Sequence, residues 1–339
     1  MDEADERALS MFMPSTSSSQ QRTLADLIME KIREKEAGSA AGGGFGSASS
    51  SSSSSGGAAA ASSASEQQHE IIARQLDPKV VTVYTQVGQV LSKWTSGKVP
   101  KAFKIIPALK NWEEILFLTS PERWSANSMY AATKLFASNL NPKLAQRFFN
   151  LVLLPAVRED IGRNKRLNFH YFMALKKSVF KPAAFFKGIL LPLVQDGCTA
   201  REAIVIASLL SKVSLPVEHA GVAIIKLCQL EYTGTSSLFL KTLLNKKYSL
   251  PLSVVAQVVQ HLTSFQDETR ALPVAWHQTF LVFAQRYKNS ITGEQREQLR
   301  TLVKCQCHHL IAAEIRRELF GVKHTERATV SSAGEMALE

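Results

Sequence analysis

Lysine, arginine and aromatic residues alternate along residues 165–193, which read KRLNFHYFMALKKSVFKPAAFFKGILLPL. Such a segment is apolar enough to be partly buried and basic enough to present cations to solvent. Cations bind phosphates, and exposed aromatic rings can stack on bases. The segment predicts a helical surface that binds nucleic acid or another acidic partner, and it does not suggest a catalytic centre.

The positive charge is concentrated in the part of the chain that we expect to fold. The 339 residues carry a net charge of +11, but residues 1–70 contain five basic and ten acidic groups. Residues 71–339 therefore hold 35 basic and 19 acidic groups, a net charge of +16. A face that gathers these cations attracts polyanions by counterion release. The alternative is a surface that only maintains solubility, although such a surface normally mixes both signs.

Two blocks of sequence carry much of this charge. Between Lys93 and Lys110 there are five lysines and no acid, and between Arg158 and Lys187 there are eight bases and two acids. Aromatic residues in or next to these blocks could stack on unpaired bases, but helical spacing predicts that most of them pack in the core. These residues are Phe103, Phe148, Phe149, Phe169, Tyr171, Phe172, Phe180, Phe185 and Phe186.

Motifs for catalysis or metal binding are weak. Residues 2–5 spell Asp-Glu-Ala-Asp, but no phosphate-binding G-x-x-x-x-G-K-[ST] loop accompanies them. The chain contains no G-x-S-x-G or H-E-x-x-H motif, and no dinucleotide-binding glycine pattern follows residue 70. The Cys305-x-Cys307-His308-His309 cluster has no second cysteine pair to complete a zinc site. We therefore predict a protein that is not an enzyme and has no cofactor or metal.

The four cysteines are too few and too scattered for a secreted disulfide framework. No signal peptide is evident, and no uncharged stretch of about 18 apolar residues could span a membrane. These features favour a reducing compartment, either cytoplasm or nucleus.

The N-terminal region has the composition of a tail. Residues 38–65 are almost entirely Gly, Ala and Ser, which cannot bury enough apolar area to fold. Before them, Leu24, Leu27, Ile28 and Ile32 recur at helical spacing within residues 22–36. We predict a disordered acidic tail over residues 1–74 with one short amphipathic helix, which docks on a partner or on its own domain or has no role. A flexible C-terminal tail is expected over residues 323–339.

Residues 75–322 read as a series of helices with short connections. Prolines at 78, 121, 142, 182, 216, 251 and 273 each precede a run with apolar residues three and four positions apart. Eight runs with this spacing cover residues 80–94, 126–138, 143–157, 167–180, 201–213, 218–230, 253–264 and 275–287. The pattern predicts an all-α, irregular, HEAT-like α-solenoid of stacked antiparallel helix pairs, without a clean repeat period.

Several long segments resemble the bystin family of small-ribosomal-subunit assembly factors. The similarity includes residues 23–32 (TLADLIMEKI), 91–109 (LSKWTSGKVPKAFKIIPAL), 145–160 (AQRFFNLVLLPAVRED), 201–212 (REAIVIASLLSK) and 230–251 (LEYTGTSSLFLKTLLNKKYSLP). It extends almost continuously from residue 75 to about residue 320.

The resemblance implies a basic helical domain that acts in ribosome biogenesis and rRNA processing. Family members are expected in the nucleolus and nucleus, with a cytoplasmic phase on late precursor particles, where they bind at the maturing head of the small subunit. The implied partners are precursor rRNA, small nucleolar RNA, ribosomal proteins and other assembly factors, but no membrane and no small-molecule substrate. Family members commonly have a longer N-terminal extension, whereas this chain reaches its first core helix by residue 77.

The leading hypothesis is a non-catalytic factor whose cations bind the phosphates of structured precursor rRNA, mainly by shape. The alternative is a protein–protein scaffold or adaptor, for example in cell adhesion, that makes no contact with RNA. The predicted phosphate contacts are Lys98, Lys101, Lys104, Arg163, Lys165, Arg166, Lys176, Lys177, Lys181 and Lys187.

Overall fold

The computed structural model describes residues 77–321, which form helices and loops without a strand. This confirms the prediction of an all-helical fold for that range. The predicted tails at residues 1–74 and 323–339, including the amphipathic helix at 22–36, lie outside the described residues. The helices are α1 (Pro78–Lys93), α2 (Lys101–Ile105), α3 (Trp112–Leu118), α4 (Ala126–Asn139), α5 (Pro142–Phe148), α6 (Leu154–Asn164), α7 (Phe169–Ser178), α8 (Pro182–Phe185), α9 (Leu191–Gln195), α10 (Ala200–Lys212), α11 (Val217–Gln229), α12 (Gly234–Leu244), α13 (Leu252–Thr263), α14 (Val274–Tyr287), α15 (Gly293–Cys305) and α16 (Ile311–Phe320).

The described chain divides into two compact units, residues 77–219 and residues 220–321. All the predicted phosphate contacts lie in the first unit. The helices begin where the sequence supplies caps or prolines. Pro78, Pro142 and Pro182 open α1, α5 and α8, and a Thr199–Glu202 capping box starts α10.

Aromatic rings form the core of the first unit. The rings of Phe136 and Phe148 are stacked, with centroids 4.5 Å apart and planes within 5°. Phe103 meets both Phe136 and Trp124 edge-on, at 5.8 and 5.3 Å. These four side chains are buried and come from α2, α4, α5 and the loop before α4. The ring contacts therefore hold α2, which carries part of the first basic block, against α4 and α5.

Two helices of the first unit share an unusual design. Each contains the pattern Phe-Phe-x-x-x-Leu-Leu-Pro, once at residues 148–155 and once at residues 185–192. In each, the residues from the second phenylalanine to the first leucine form a π turn, Phe149–Leu153 and Phe186–Leu190, just before the proline. A proline inside a helix removes a backbone donor, and a widened turn beside it accommodates the resulting distortion. The two π-containing helices pack against each other.

Gly188 lies where these two helices meet, and its substitution should be destabilising. A Cβ atom at this position would lie 2.7 Å from the backbone oxygen of Gln146, which cannot move without displacing α5. We expect Gly188→Ala to lower the free energy of unfolding by about 1–3 kcal/mol, as measured by chemical denaturation. Gly162→Ala is the control, because a Cβ atom there meets nothing within 4 Å. If the two variants have equal free energies of unfolding, the close contact between Gly188 and the Gln146 backbone is contradicted.

In the second unit α14 packs against both α12 and α16, and α13 packs against α15. The Trp276 ring contacts Phe265 and Phe280 edge-on, each at 5.8 Å between centroids. The Gln306 amide donates to the backbone oxygens of Phe265 and Glu268, at 3.1 and 2.7 Å. These hydrogen bonds hold the loop between α13 and α14 against the end of α15.

Candidate nucleic-acid interface

Helices α4 and α7 pack side by side and form the walls of a concave surface. Its larger depression has a volume of about 650 Å³ and is lined by Trp94, Thr95, Gly97, Val99, Lys104, Asn127, Tyr130, Ala131, Lys134, Leu135, Ser138, Asn139, Phe169, His170 and Met173. A second depression of about 340 Å³ is lined by Tyr130, Met173, Lys176, Lys177, Val179, Phe180, Val213 and Ser214. The two adjoin, because Tyr130 and Met173 line both, and together they are called the basic groove.

Side-chain hydrogen bonds hold the start of α4 against the end of α1. The Ser125 hydroxyl caps α4 by accepting from Ser128 N, and it also donates to the Trp94 oxygen at 2.5 Å. The Ser128 hydroxyl donates to the Leu91 oxygen at 2.6 Å, and the Asn127 amide donates to the Thr95 oxygen at 2.6 Å. One rim of the basic groove is therefore anchored by hydrogen bonds to Leu91, Trp94 and Thr95.

The start of α7 is fixed by the turn that follows α6. Lys165 adopts a left-handed conformation, with φ at 54°, and ends α6. Asp160 accepts hydrogen bonds from Asn164 and from the Asn168 backbone, both at 2.8 Å, and Asn168 then caps α7 by accepting from His170 N. The carboxylate of Asp160 is therefore used in holding this turn. Phe169 follows directly as the first residue of α7.

Helix α2 buries Phe103 and exposes its two lysines. Phe103 is fully buried against Trp124 and Phe136, while Lys101 and Lys104 are exposed. Residues three apart share a helix face, so burial of Phe103 leaves both lysines on the solvent side. Lys104 lines the basic groove.

The basic groove is lined by positive charge without negative charge. Four lysines line it, and none of the described residues that line it is acidic. Residues 77–219 contain 20 basic and nine acidic side chains, compared with 12 and seven in residues 220–321. Two of the nine acids are buried in ion pairs, Glu113 with Arg147 and Glu202 with Arg158. The four lysines are Lys104, Lys134, Lys176 and Lys177.

The predicted phosphate contacts lie in several parts of the first unit. Lys104, Lys176 and Lys177 line the basic groove, whereas Lys187 does not line it. Lys98 and Lys101 lie in and after the loop that borders it, and Arg163, Lys165 and Arg166 lie in the segment that leads to α7. Seven of the ten form no ion pair with a carboxylate of residues 77–321 and are exposed, namely Lys98, Lys101, Lys104, Lys165, Arg166, Lys176 and Lys187.

Three predicted contacts also bond within the protein. Arg163 forms an ion pair with Glu159, one turn earlier on α6. The Lys165 amine donates to the Gly162 oxygen at 2.7 Å. The Lys181 amine donates to the Leu140 oxygen at the end of α4, and burial lowers the pKa of this lysine. Lys181 therefore contributes to helix packing.

This internal bond predicts different behaviour for two lysines of the same block. Lys181→Met leaves the Leu140 carbonyl without its donor and should lower the free energy of unfolding by about 1–2 kcal/mol. Lys176→Met at an exposed site of α7 should change it by less than about 0.5 kcal/mol. Denaturant titration of both variants provides the comparison. If Lys181→Met is as stable as Lys176→Met, the bond to Leu140 contributes nothing.

Most aromatic residues of the basic blocks are buried, as predicted. Phe103, Phe148, Phe149, Phe185 and Phe186 lie in the core. Phe169 and Phe180 differ, because both side chains are 67% exposed and both line the basic groove. Lys212 lies 5.5 Å from the ring centre of the half-buried Phe172.

Sequence reasoning missed Lys134, Trp94 and Tyr130 as parts of the interface. Lys134 is the only charged residue of α4. An isolated lysine in an apolar helix marks the side that faces solvent. That signal was present in the sequence, but the pairing of α4 with α7, which joins Lys134 to Lys176 and Lys177, is a tertiary contact.

Other kinds of site have no candidate within the described residues. No group of three or more His, Cys, Asp or Glu side chains in residues 77–321 is arranged to hold a metal ion. None of the helices in that range is long and apolar enough to cross a membrane.

Comparison with known proteins gave a consistent result. The family model described as Bystin matches residues 18–329. The protein called Bystin from Monosiga brevicollis is 52% identical over 328 residues, which are 96% of this chain and 73% of that protein. Bystin from Nematostella vectensis is 48% identical over 330 residues, 97% of this chain and 71% of that protein. Bystin from Homo sapiens is 49% identical over 320 residues, 94% of this chain and 68% of that protein.

Proposed function

The chain belongs to the bystin family, and we propose that it is a non-catalytic assembly factor of the small ribosomal subunit. In this role it binds precursor rRNA through the basic groove while other surfaces hold ribosomal proteins and assembly factors. The observation that carries the proposal is the set of four lysines in a groove without an acidic lining residue. Such a surface attracts a ribose-phosphate chain.

Family membership is also the basis of the proposed cellular location, which is nucleolar and nuclear first and cytoplasmic on late precursor particles.

We also propose that the helices stack as an irregular, HEAT-like α-solenoid. Within residues 77–219, the π-containing helix at 142–164 packs on its counterpart at 182–195, and the helices that follow them, α7 and α10, also contact each other. Packing of first helix on first helix and second on second is the arrangement of stacked hairpins.

The rival function is a protein scaffold whose lysines face acidic peptides. Ultraviolet crosslinking in cells, followed by sequencing of the attached RNA, distinguishes the two. We expect precursor small-subunit rRNA to be enriched, and we expect the enrichment to fall when the groove lysines are replaced by glutamine. Background RNA recovery together with intact protein partners would contradict the proposal and favour the scaffold.

A further inference from the structure

Two exposed aromatic rings mark opposite ends of α7 in the basic groove. Phe169 is the first residue of this helix and Phe180 follows its last residue by two positions. Each side chain is 67% exposed, although phenylalanine is usually buried. A helix rises about 1.5 Å per residue, so the two positions are roughly 16 Å apart. Exposed rings at both ends of one concave surface indicate a binding site for a ligand with apolar faces.

Lysines accompany both rings. The Lys177 amine lies 4.6 Å from the centre of the Phe180 ring, and Lys176 lines the same depression. Lys104 and Lys134 line the depression that contains Phe169. Cations that follow a backbone, interleaved with flat apolar rings, are the elements of surfaces that bind single-stranded nucleic acid.

We infer that the basic groove binds unpaired RNA, with bases stacked on Phe169 and Phe180 and phosphates beside the four lysines. The inference rests on the proposed function and specifies the class of RNA. A paired A-form helix keeps its base faces inside the stack and presents phosphates and hydroxyls. Its bases therefore cannot stack on exposed rings of the protein. At about 3.4 Å per stacked step, the distance between the rings corresponds to roughly five nucleotides.

The test compares two fluorescent RNAs of equal length and charge, one unstructured and one folded as a closed hairpin, by anisotropy with the full chain. The unstructured strand should bind at least about tenfold more tightly. Phe169→Ala and Phe180→Ala should each lower its affinity by about 5- to 100-fold, since each removes a stacking platform. Their affinity for the hairpin should stay within about twofold of the unchanged chain.

Ile204→Ala is the matched control, because Ile204 is 60% exposed on α10 and does not line the basic groove. It should bind both RNAs normally, and all variants should keep their helical circular dichroism. If the hairpin binds as tightly as the strand and the phenylalanine variants bind normally, the single-strand inference is wrong. Loss of RNA binding in the lysine variants would then still support the proposed function. If neither RNA binds, or if an acidic peptide binds better than both, the inference and the proposed function both fail.

Discussion

Replacing Lys104, Lys134 and Lys176 together by glutamate should lower the affinity for small-subunit precursor rRNA by about 100-fold or more at moderate salt. Each reversal removes a charge-assisted hydrogen bond of about 1.5–3 kcal/mol and adds repulsion from the neighbouring phosphates. The slope of the logarithm of the association constant against the logarithm of salt concentration should also become less steep. On a single strand, the change is about 0.7 for each phosphate that the variant no longer neutralises. Fluorescence anisotropy at several salt concentrations measures both quantities.

The matched control is the triple variant Lys79→Glu, Lys110→Glu and Lys143→Glu. These lysines are also exposed in residues 77–219 and do not line the basic groove, so the control has the same net charge. Its affinity should fall much less than that of the groove variant. If the two variants are equally impaired, overall charge and not the groove determines binding.

Replacing Glu202 by alanine should lower the free energy of unfolding by about 3–5 kcal/mol. The Glu202 carboxylate accepts from Arg158 Nε at 3.0 Å, from the Thr199 backbone at 2.7 Å and from the Thr199 hydroxyl at 2.9 Å. Its side chain is only 7% exposed and that of Arg158 only 17% exposed. Without Glu202 the largely buried guanidinium loses its ion pair, and α10 loses its capping box.

Chemical denaturation monitored by circular dichroism measures this destabilisation. Glu159→Ala serves as the control, because Glu159 pairs with Arg163 on the surface of α6, where such pairs contribute at most about 1 kcal/mol. A combined Arg158→Met and Glu202→Leu variant should recover much of the stability, since it removes both buried charges. A decrease below about 1 kcal/mol for Glu202→Ala would show that the pair does not stabilise the fold.

Local signals in the sequence account well for where the helices lie. The run predicted at residues 126–138 matches α4 at Ala126–Asn139, and the run at 201–213 matches α10 at Ala200–Lys212. Prolines and capping residues mark these starts. The eight predicted runs did not include α2, α3, α8, α9, α12, α15 or α16. The first four of these have at most seven residues, too few for an apolar period to stand out.

The candidate interface was only partly predictable, for a tertiary reason. Charge bias pointed to the lysines of α2 and α7, but no local pattern shows that α4 packs beside α7 and adds Lys134 to them. Helical spacing placed most phenylalanines in the core, which is correct for Phe103 and Phe185. The same spacing could not identify Phe169 and Phe180 as exposed, because their exposure follows from their positions at the two ends of α7.

The most direct test of the central claim is to identify which peptides of this chain crosslink to precursor rRNA. Particles containing the full chain are irradiated, digested and analysed by mass spectrometry for peptides that carry nucleotides. We expect crosslinks within residues 93–104, 126–139 and 169–180, the three segments that carry the lysines and rings of the basic groove. Crosslinks confined to residues 220–321, or their absence from all three segments, would contradict it.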